Sequence, residues 1–347
     1  MLQQFRYSFI VTIVCVLIAA WWGWRSGGPV MAAEAILITL VLGVLEVSLS
    51  FDNAVVNAAV LQEMDAKWQR IFLTVGILIA VFGMRLVFPI VIVSVVTGLG
   101  WIDVSQMALT QPDEYARHLT ASHIQIALFG GTFLLLVFLY FIFDAEREVH
   151  WVDGFERWAA KLGRQDGVAI FIALVMILLL QRFLPQAERL SAVISGIAGI
   201  ILYVMVSSVD LLFEQDNEHH QAAAGQATRS GIAGFLYLEV LDASFSFDGV
   251  IGAFAITKDV IIIMVGLTIG AMFVRSLTVV MVQHGTLKQY RFLEHGAHYA
   301  IGVLALIMFA STTMHIPEVV TGLLGVAFIG AALRSSVVYN RAITSQH

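Results

Sequence analysis

Two short stretches hold most of the residues that could do chemistry. Glu46, Ser48, Ser50, Phe51, Asp52 and Asn53 are matched in identical register by Asp242, Ser244, Ser246, Phe247, Asp248 and Gly249. Both stretches lie within long apolar runs, as do Arg85 and Arg275. A carboxylate at the centre of a bilayer costs about 2.5–3.5 kcal/mol on insertion scales. Six such groups are tolerable only if they face one another, water or an ion. All the candidate ligands are oxygens: four carboxylates, the Asn53 amide and the serine hydroxyls. An all-oxygen set suits Mg²⁺, Ca²⁺ or Mn²⁺ better than Zn²⁺ or Cu⁺. If all four acids are ionised, two arginines leave two negative charges, which matches one divalent cation. A purely structural alternative is that the arginines neutralise the acids and hold the two halves of the chain together.

Helical spacing refines this set. Glu46, Ser50, Asn53 and Asn57 form one stripe of a helix, at steps of four, three and four. Ser48 and Asp52 lie on another stripe, about 120° away by helical periodicity. Asp242 and Ser246 divide from Ser244 and Asp248 in the same way. For both acids of one helix to touch a single ion, the helix must open near Ser-Phe-Asp, with Gly249 and Gly252 assisting in the second copy. Broken helices of this kind are tolerated where they line a cavity. Glu239, one turn before Asp242, reads as a vestibule acid. His123, His295 and His298 stand near helix ends and read as interfacial side chains or, less simply, as proton relays. Gly76, Gly83, Gly266 and Gly270 suit close helix packing.

The elements that must position these residues follow from composition. Of 347 residues, 59% are hydrophobic and 13% charged, with a net charge of −6; the mean hydropathy is +0.87. Soluble domains are about one-quarter charged, so lipid is the expected solvent. Nothing forms a basic patch for nucleic acid, and no cofactor motif is present. The single cysteine, Cys15, excludes an internal disulfide framework and any CxxC site. Apolar runs long enough to span occur at about ten places: 8–22, 35–61, 71–96, 123–143, 167–184, 190–213, 231–256, 260–283, 297–313 and 317–334. The first resembles a signal peptide in part, but Trp21, Trp22 and Trp24 look like the interfacial belt of a retained helix. The fifth is short and ends at Pro185. With the N-terminus cytoplasmic, twelve of the nineteen lysines and arginines fall on that side and five on the other, as the positive-inside rule requires. Both termini are then cytoplasmic. Residues 97–122 form an outward loop with Asp103, Asp113 and Glu114. Residues 144–166 read as an amphipathic surface helix with Trp151 and Trp158 at helical spacing. Residues 214–229 read as a linker whose Glu214, Asp216, Glu218, His219 and His220 are solvated or bind metal weakly.

The match between halves extends into the next helix, where Gly76 to Arg85 parallels Gly266 to Arg275, and a third helix follows in each copy. Five spans separate the two starts, an odd offset, so the copies enter the membrane from opposite sides. Inverted three-helix repeats with a site at the midplane are a recurrent transporter plan. The expected fold is therefore an all-α polytopic membrane bundle of about ten helices. Its parts are an N-terminal helix and loop (1–34), a first repeat (35–145), an insert with two linking helices (146–230), a second repeat (231–313) and a C-terminal helix (314–347).

The pattern Glu-x-x-Leu-Ser-Phe-Asp-Asn at 46–53, echoed at 242–249, resembles the TerC family of integral membrane proteins over roughly 35–145 and 230–313. That family is associated with tellurium-resistance gene clusters and with manganese export from the bacterial cytoplasm. The resemblance implies Mn²⁺ as the substrate, a place in the bacterial inner membrane, and Glu46, Asp52, Asn53, Asp242 and Asp248 as ligands. Ser48, Ser50, Asn57, Ser244, Ser246, Gly249, Arg85 and Arg275 would support them. Two departures mark a divergent branch: Asp242 stands for the glutamate and Gly249 for the amide, and an additional first helix and the 144–166 insert are present. No tightly bound cofactor is expected, and the chain is compatible with a homodimer. Three rival readings are a metal-sensing or metalloprotein-assembly factor without flux, a carrier of small organic solutes, and an intramembrane aspartyl protease using Asp52 and Asp248. The last lacks a Gly-x-Gly-Asp setting and has no need of the mirrored acids and arginines.

Overall fold

The computed structural model describes residues 4–76, 78–163, 167–217, 231–314 and 316–344; the side chains at 209–217, 247 and 248 and at a few single positions lie outside that description. All regular structure among the described residues is helical. The first helix, α1 (Arg6–Leu49), is interrupted at Gly27 and Gly28. Gly28 has φ +78°, ψ −157°, a backbone region essentially reserved for glycine, and Pro29 starts the second arm with its φ already set for a helix. The chain reverses there, because a Cβ on Gly23 would lie 2.5 Å from the Met31 carbonyl oxygen. Both arms pack on α12 (Val260–Gln283). The first runs against it, with the Ser8 hydroxyl donating to the Met272 carbonyl at 2.7 Å and the Trp22 indole to Asp259 at 2.7 Å. The second runs with it, Leu42 meeting Gly266 and Glu46 meeting Gly270.

Beyond a slight break at Ser50, α2 (Phe51–Glu63) continues the second arm, and α3 (Ala66–Ile71) begins the next crossing. That crossing is π-helical over Phe72–Gly76 and Ile79–Val87 before α4 (Phe88–Thr97). It bends by 43° between its two parts. The expected loop at 97–122 is instead two helices, α5 (Trp101–Thr110) and α6 (Pro112–Ala121). Val104 with Ala108, and Tyr115 with Leu119, are buried pairs four residues apart, a spacing that turns a polar stretch into a one-sided helix.

Next come α7 (His123–Ile142), α8 (Asp153–Leu162), the short α9 (Val168–Leu180) and α10 (Arg189–Asn217). The chain then continues through α11 (Gly231–Ile256), α12, α13 (Thr286–Gln289), α14 (Leu293–Ser311) and α15 (Glu318–Thr344). Among the described residues six helices are long and apolar enough to cross a membrane, or seven if the bent 66–95 pair counts as one. Large apolar side chains face outward around the bundle, including Leu37, Val44, Val95, Phe171 and Leu323, the surface that a hydrocarbon layer covers. The histidines and acids proposed for the 214–229 linker lie outside the described side chains.

The insert is amphipathic as expected, but Trp151 precedes α8 rather than belonging to it, its indole donating to Ser335 at 3.1 Å. The buried Glu156 carboxylate accepts from the Trp151 and Val152 amides at 2.9 and 3.1 Å and from the Tyr299 hydroxyl at 3.0 Å. It caps α8 and ties it to α14. Glu156→Ala removes the charged acceptor of three part-buried hydrogen bonds, each worth about 1.5–3 kcal/mol at most. Trypsin is expected to cut at Arg157 and Lys161 many times faster in the variant than in the parent protein, and equal rates would discount the tether.

Candidate functional site

The Glu46 stripe holds as a geometric unit. The Ser50 hydroxyl donates to Glu46 Oε1 at 3.2 Å, and Ser50, Asn53 and Asn57 line one cavity of about 40 Å³. The helix carrying them breaks at Ser50, the first residue of the expected Ser-Phe-Asp opening, where the backbone leaves helical geometry at φ −100°, ψ 17° between α1 and α2; the break is slight. The Ser50 amide still reaches the Glu46 carbonyl at 2.9 Å and the Ala54 amide reaches that of Ser50 at 3.2 Å. In the second copy α11 runs unbroken through the Ser-Phe-Asp positions. At the Ser50 break the Asn53 amide donates to Asp52 Oδ1 at 3.0 Å, yet Glu46 and Asp52 stay on different faces. In α11 the continuous helix already satisfies its backbone, so nothing drives a break there.

Asp52 accordingly points elsewhere. It lines a vestibule of about 920 Å³, shared with Gly249, His123 and the Asp113–Lys258 ion pair. Ser48 is exposed, its hydroxyl turned back to the Val44 carbonyl at 2.9 Å. The Ser244 hydroxyl likewise turns back to the Val240 carbonyl at 2.9 Å, but Ser244 is buried, as is Ser246. The Asp248 side chain lies outside the described residues. Glu46, Asn53 and Asp242 do meet: the Asn53 amide nitrogen donates to Asp242 Oδ1 at 2.6 Å. Arg85 pairs with Glu46, both nearly inaccessible. Among the described residues no three His, Cys, Asp or Glu side chains converge as a metal-holding group.

Glycines make the approach possible. A Cβ on Gly270 would stand 2.3 Å from the Cβ of Glu46, and one on Gly249 2.8 Å from Glu46 Oε2. The Glu46–Gly249 contact and the Asp242–Asn53 contact exchange with one another under the sequence match of the two stretches. Other contacts exchange likewise. The second arm of α1 with α2 packs on α12, while α11 packs on the Ile79–Val87 segment, and α7 packs on α14. The last two run in opposite directions, Gly130 meeting Met308 and Phe138 meeting Gly302.

The arginines break this exchange. Arg85 pairs with Glu46, whereas Arg275 donates from Nε at 3.1 Å and from Nη2 to the Leu73 carbonyl. The π-helical backbone is the visible difference between the two arginine-bearing segments, and π-bulges occur frequently at functional sites. Glu239 sits deeper than a vestibule acid, in the wall of the 40 Å³ cavity beside Asp242. A Cβ on Gly76 would come within 2.7 Å of its carboxylate. The sequence signal for that depth was its place one turn from Asp242 on the same face. The histidines stay out of this cavity: His298 Nδ1 is 2.9 Å from the Glu294 carbonyl, His295 Nε2 is 2.9 Å from the Val149 carbonyl, and His123 faces Ser311.

Residues 51–343 match the model of a family described as Protein of unknown function (DUF475). No curated protein and no solved structure matches the chain.

Proposed function

The chain belongs to the DUF475 family, and we propose that it carries a hard divalent cation across the membrane through the site between its two mirrored halves. The observation that carries this reading is the exchanged pair of contacts, Glu46 on Gly249 and Asp242 on Asn53. It joins two buried acids, one from each copy, at the junction of those copies. The opposite running of α7 and α14 is what oppositely inserted repeats require. Burying carboxylates in hydrocarbon is costly without a partner ion, and among the described residues only one of the two has an arginine within ion-pair distance. Resemblance to the TerC family makes Mn²⁺ the favoured substrate and export from the cytoplasm the favoured direction, with an inner-membrane location and both termini cytoplasmic. Asp52 is then the carboxylate a cation meets at the vestibule end of its path.

The test is reconstitution into liposomes with a metal-sensitive dye, comparing Mn²⁺, Ca²⁺, Mg²⁺ and Zn²⁺. Removing a charged ligand costs about tenfold or more, so Asp52→Asn should slow Mn²⁺ flux by at least that factor, with Zn²⁺ moved poorly by both proteins. Flux unchanged in Asp52→Asn and in Asp242→Asn would remove the carrier reading. Binding without flux in the parent protein would favour a metal-sensing or assembly role instead.

A further inference from the structure

The 40 Å³ cavity has more acceptors than donors. Asp242 Oδ2, Asn53 Oδ1, Asn57 Oδ1 and both oxygens of Glu239 are buried with no hydrogen-bond partner among the described residues. All four side chains line this cavity and are more than nine-tenths buried. Four donor side chains in the same wall are committed elsewhere. Arg275 is spent on Leu73, Ser50 on Glu46 and Thr278 on Val274, while Arg85 serves Glu46 and the Ala80 carbonyl with only its Nε left over. Native proteins leave few buried polar atoms unpaired, so five orphaned oxygens around one small space need an electropositive occupant.

Two of these side chains have no counterpart in the other half. In the register that sets Glu46 against Asp242, Glu239 falls opposite Gly43 and Asn57 opposite Ala253. The additional ligands therefore lie on one side only, where α2 ends and α11 begins, which positive-inside counting makes cytoplasmic.

We propose that Glu239, Asp242, Asn53 and Asn57 form a site for one largely dehydrated hard divalent cation, displaced from the repeat junction toward the cytoplasmic side. This assignment rests on the carrier reading for its purpose, although not for its chemistry. Two carboxylates and two amide carbonyls supply the oxygen ligands that Mn²⁺, Ca²⁺ or Mg²⁺ prefer. A space of this size holds the ion with one or two waters, since each water needs about 10–15 Å³ by the same measure. The asymmetry provides a loading site facing one compartment, which a perfectly symmetric pair of repeats lacks.

The experiment is equilibrium binding to the purified full chain, following free Mn²⁺ by electron paramagnetic resonance. The parent protein should bind one Mn²⁺ per chain tightly, with Ca²⁺ and Mg²⁺ competing. Glu239→Gln keeps the shape and removes the charge, and should weaken binding about tenfold or more. Asn57→Ala, which installs the residue found at the matched position, should also weaken it and serves if the first variant fails to fold. Binding unaltered in both variants, or no Mn²⁺, Ca²⁺ or Mg²⁺ bound by the parent protein, overturns the site. Parallel liposome flux separates the two ideas. Wild-type flux with unaltered Glu239→Gln binding sinks the site alone, whereas binding lost in Glu239→Gln without wild-type flux keeps the site and sinks the carrier.

Discussion

Arg85→Met is expected to destabilise the protein by about 3–5 kcal/mol, because it leaves the Glu46 carboxylate buried without its charged partner. Both side chains are almost inaccessible to solvent, 4% and 1%, so water cannot substitute for the guanidinium. Among the described residues the Ser50 hydroxyl at 3.2 Å is the only other donor to that carboxylate, and it is neutral. Glu46→Leu alone should cost less, since Arg85 retains the Ala80 carbonyl as acceptor. The double variant Arg85→Met with Glu46→Leu should recover most of the loss, as replacement of buried ion pairs by apolar residues does elsewhere. Thermal unfolding in detergent, followed by tryptophan fluorescence and by monodispersity on gel filtration, measures all three. A single variant as stable as the parent would mean that the pair contributes nothing. Recovered stability with lost cation flux would separate the structural part of the pair from its part in transport.

The second large effect concerns Gly270. A Cβ there would lie 2.3 and 2.4 Å from the Cβ and Cγ of Glu46 and 2.9 Å from the Gly43 carbonyl oxygen. None of these is the far end of a flexible side chain, so α12 and the second arm of α1 would have to move apart. Gly270→Leu should therefore cost about 1–3 kcal/mol or more from overpacking. It should also separate Glu46 from Arg85 and lower Mn²⁺ flux to background. Gly330→Ala is the matched control, because nothing lies within 4 Å of its added Cβ. It exchanges a helical glycine for the better helix former. Parental stability and flux in Gly270→Leu would show that the close approach of the two helices is dispensable.

Much of this was legible from residue order. Composition identifies the lipid-facing class, because apolar content is a sum over residues and needs no geometry. The stripe of Glu46, Ser50, Asn53 and Asn57 was readable because helical periodicity is a local property. Ser48 and Asp52 fell on a separate face for the same reason. The amphipathic character of 153–162 was equally local, whereas the helices at 101–121 were masked by their polar content. The expected opening at Ser-Phe-Asp assumed that both acids of a stretch share one ion; the chain breaks slightly at Ser50 in the first copy and runs on unbroken in the second, and Glu46 and Asp52 keep separate faces.

Only the folded chain decides which of those faces meet. Arg85 and Arg275 occupy matched positions yet choose different partners, since a side chain's partner depends on what the neighbouring helix presents at that height. Glu239 and Asn57 join Asp242 and Asn53 around one cavity while Asp52 looks into another. Residue order can say that acids recur at a spacing, because spacing is a property of one helix. It cannot say which acids share a space, because that depends on how closely two helices approach, and at Gly76, Gly249 and Gly270 the approach is set by a missing Cβ.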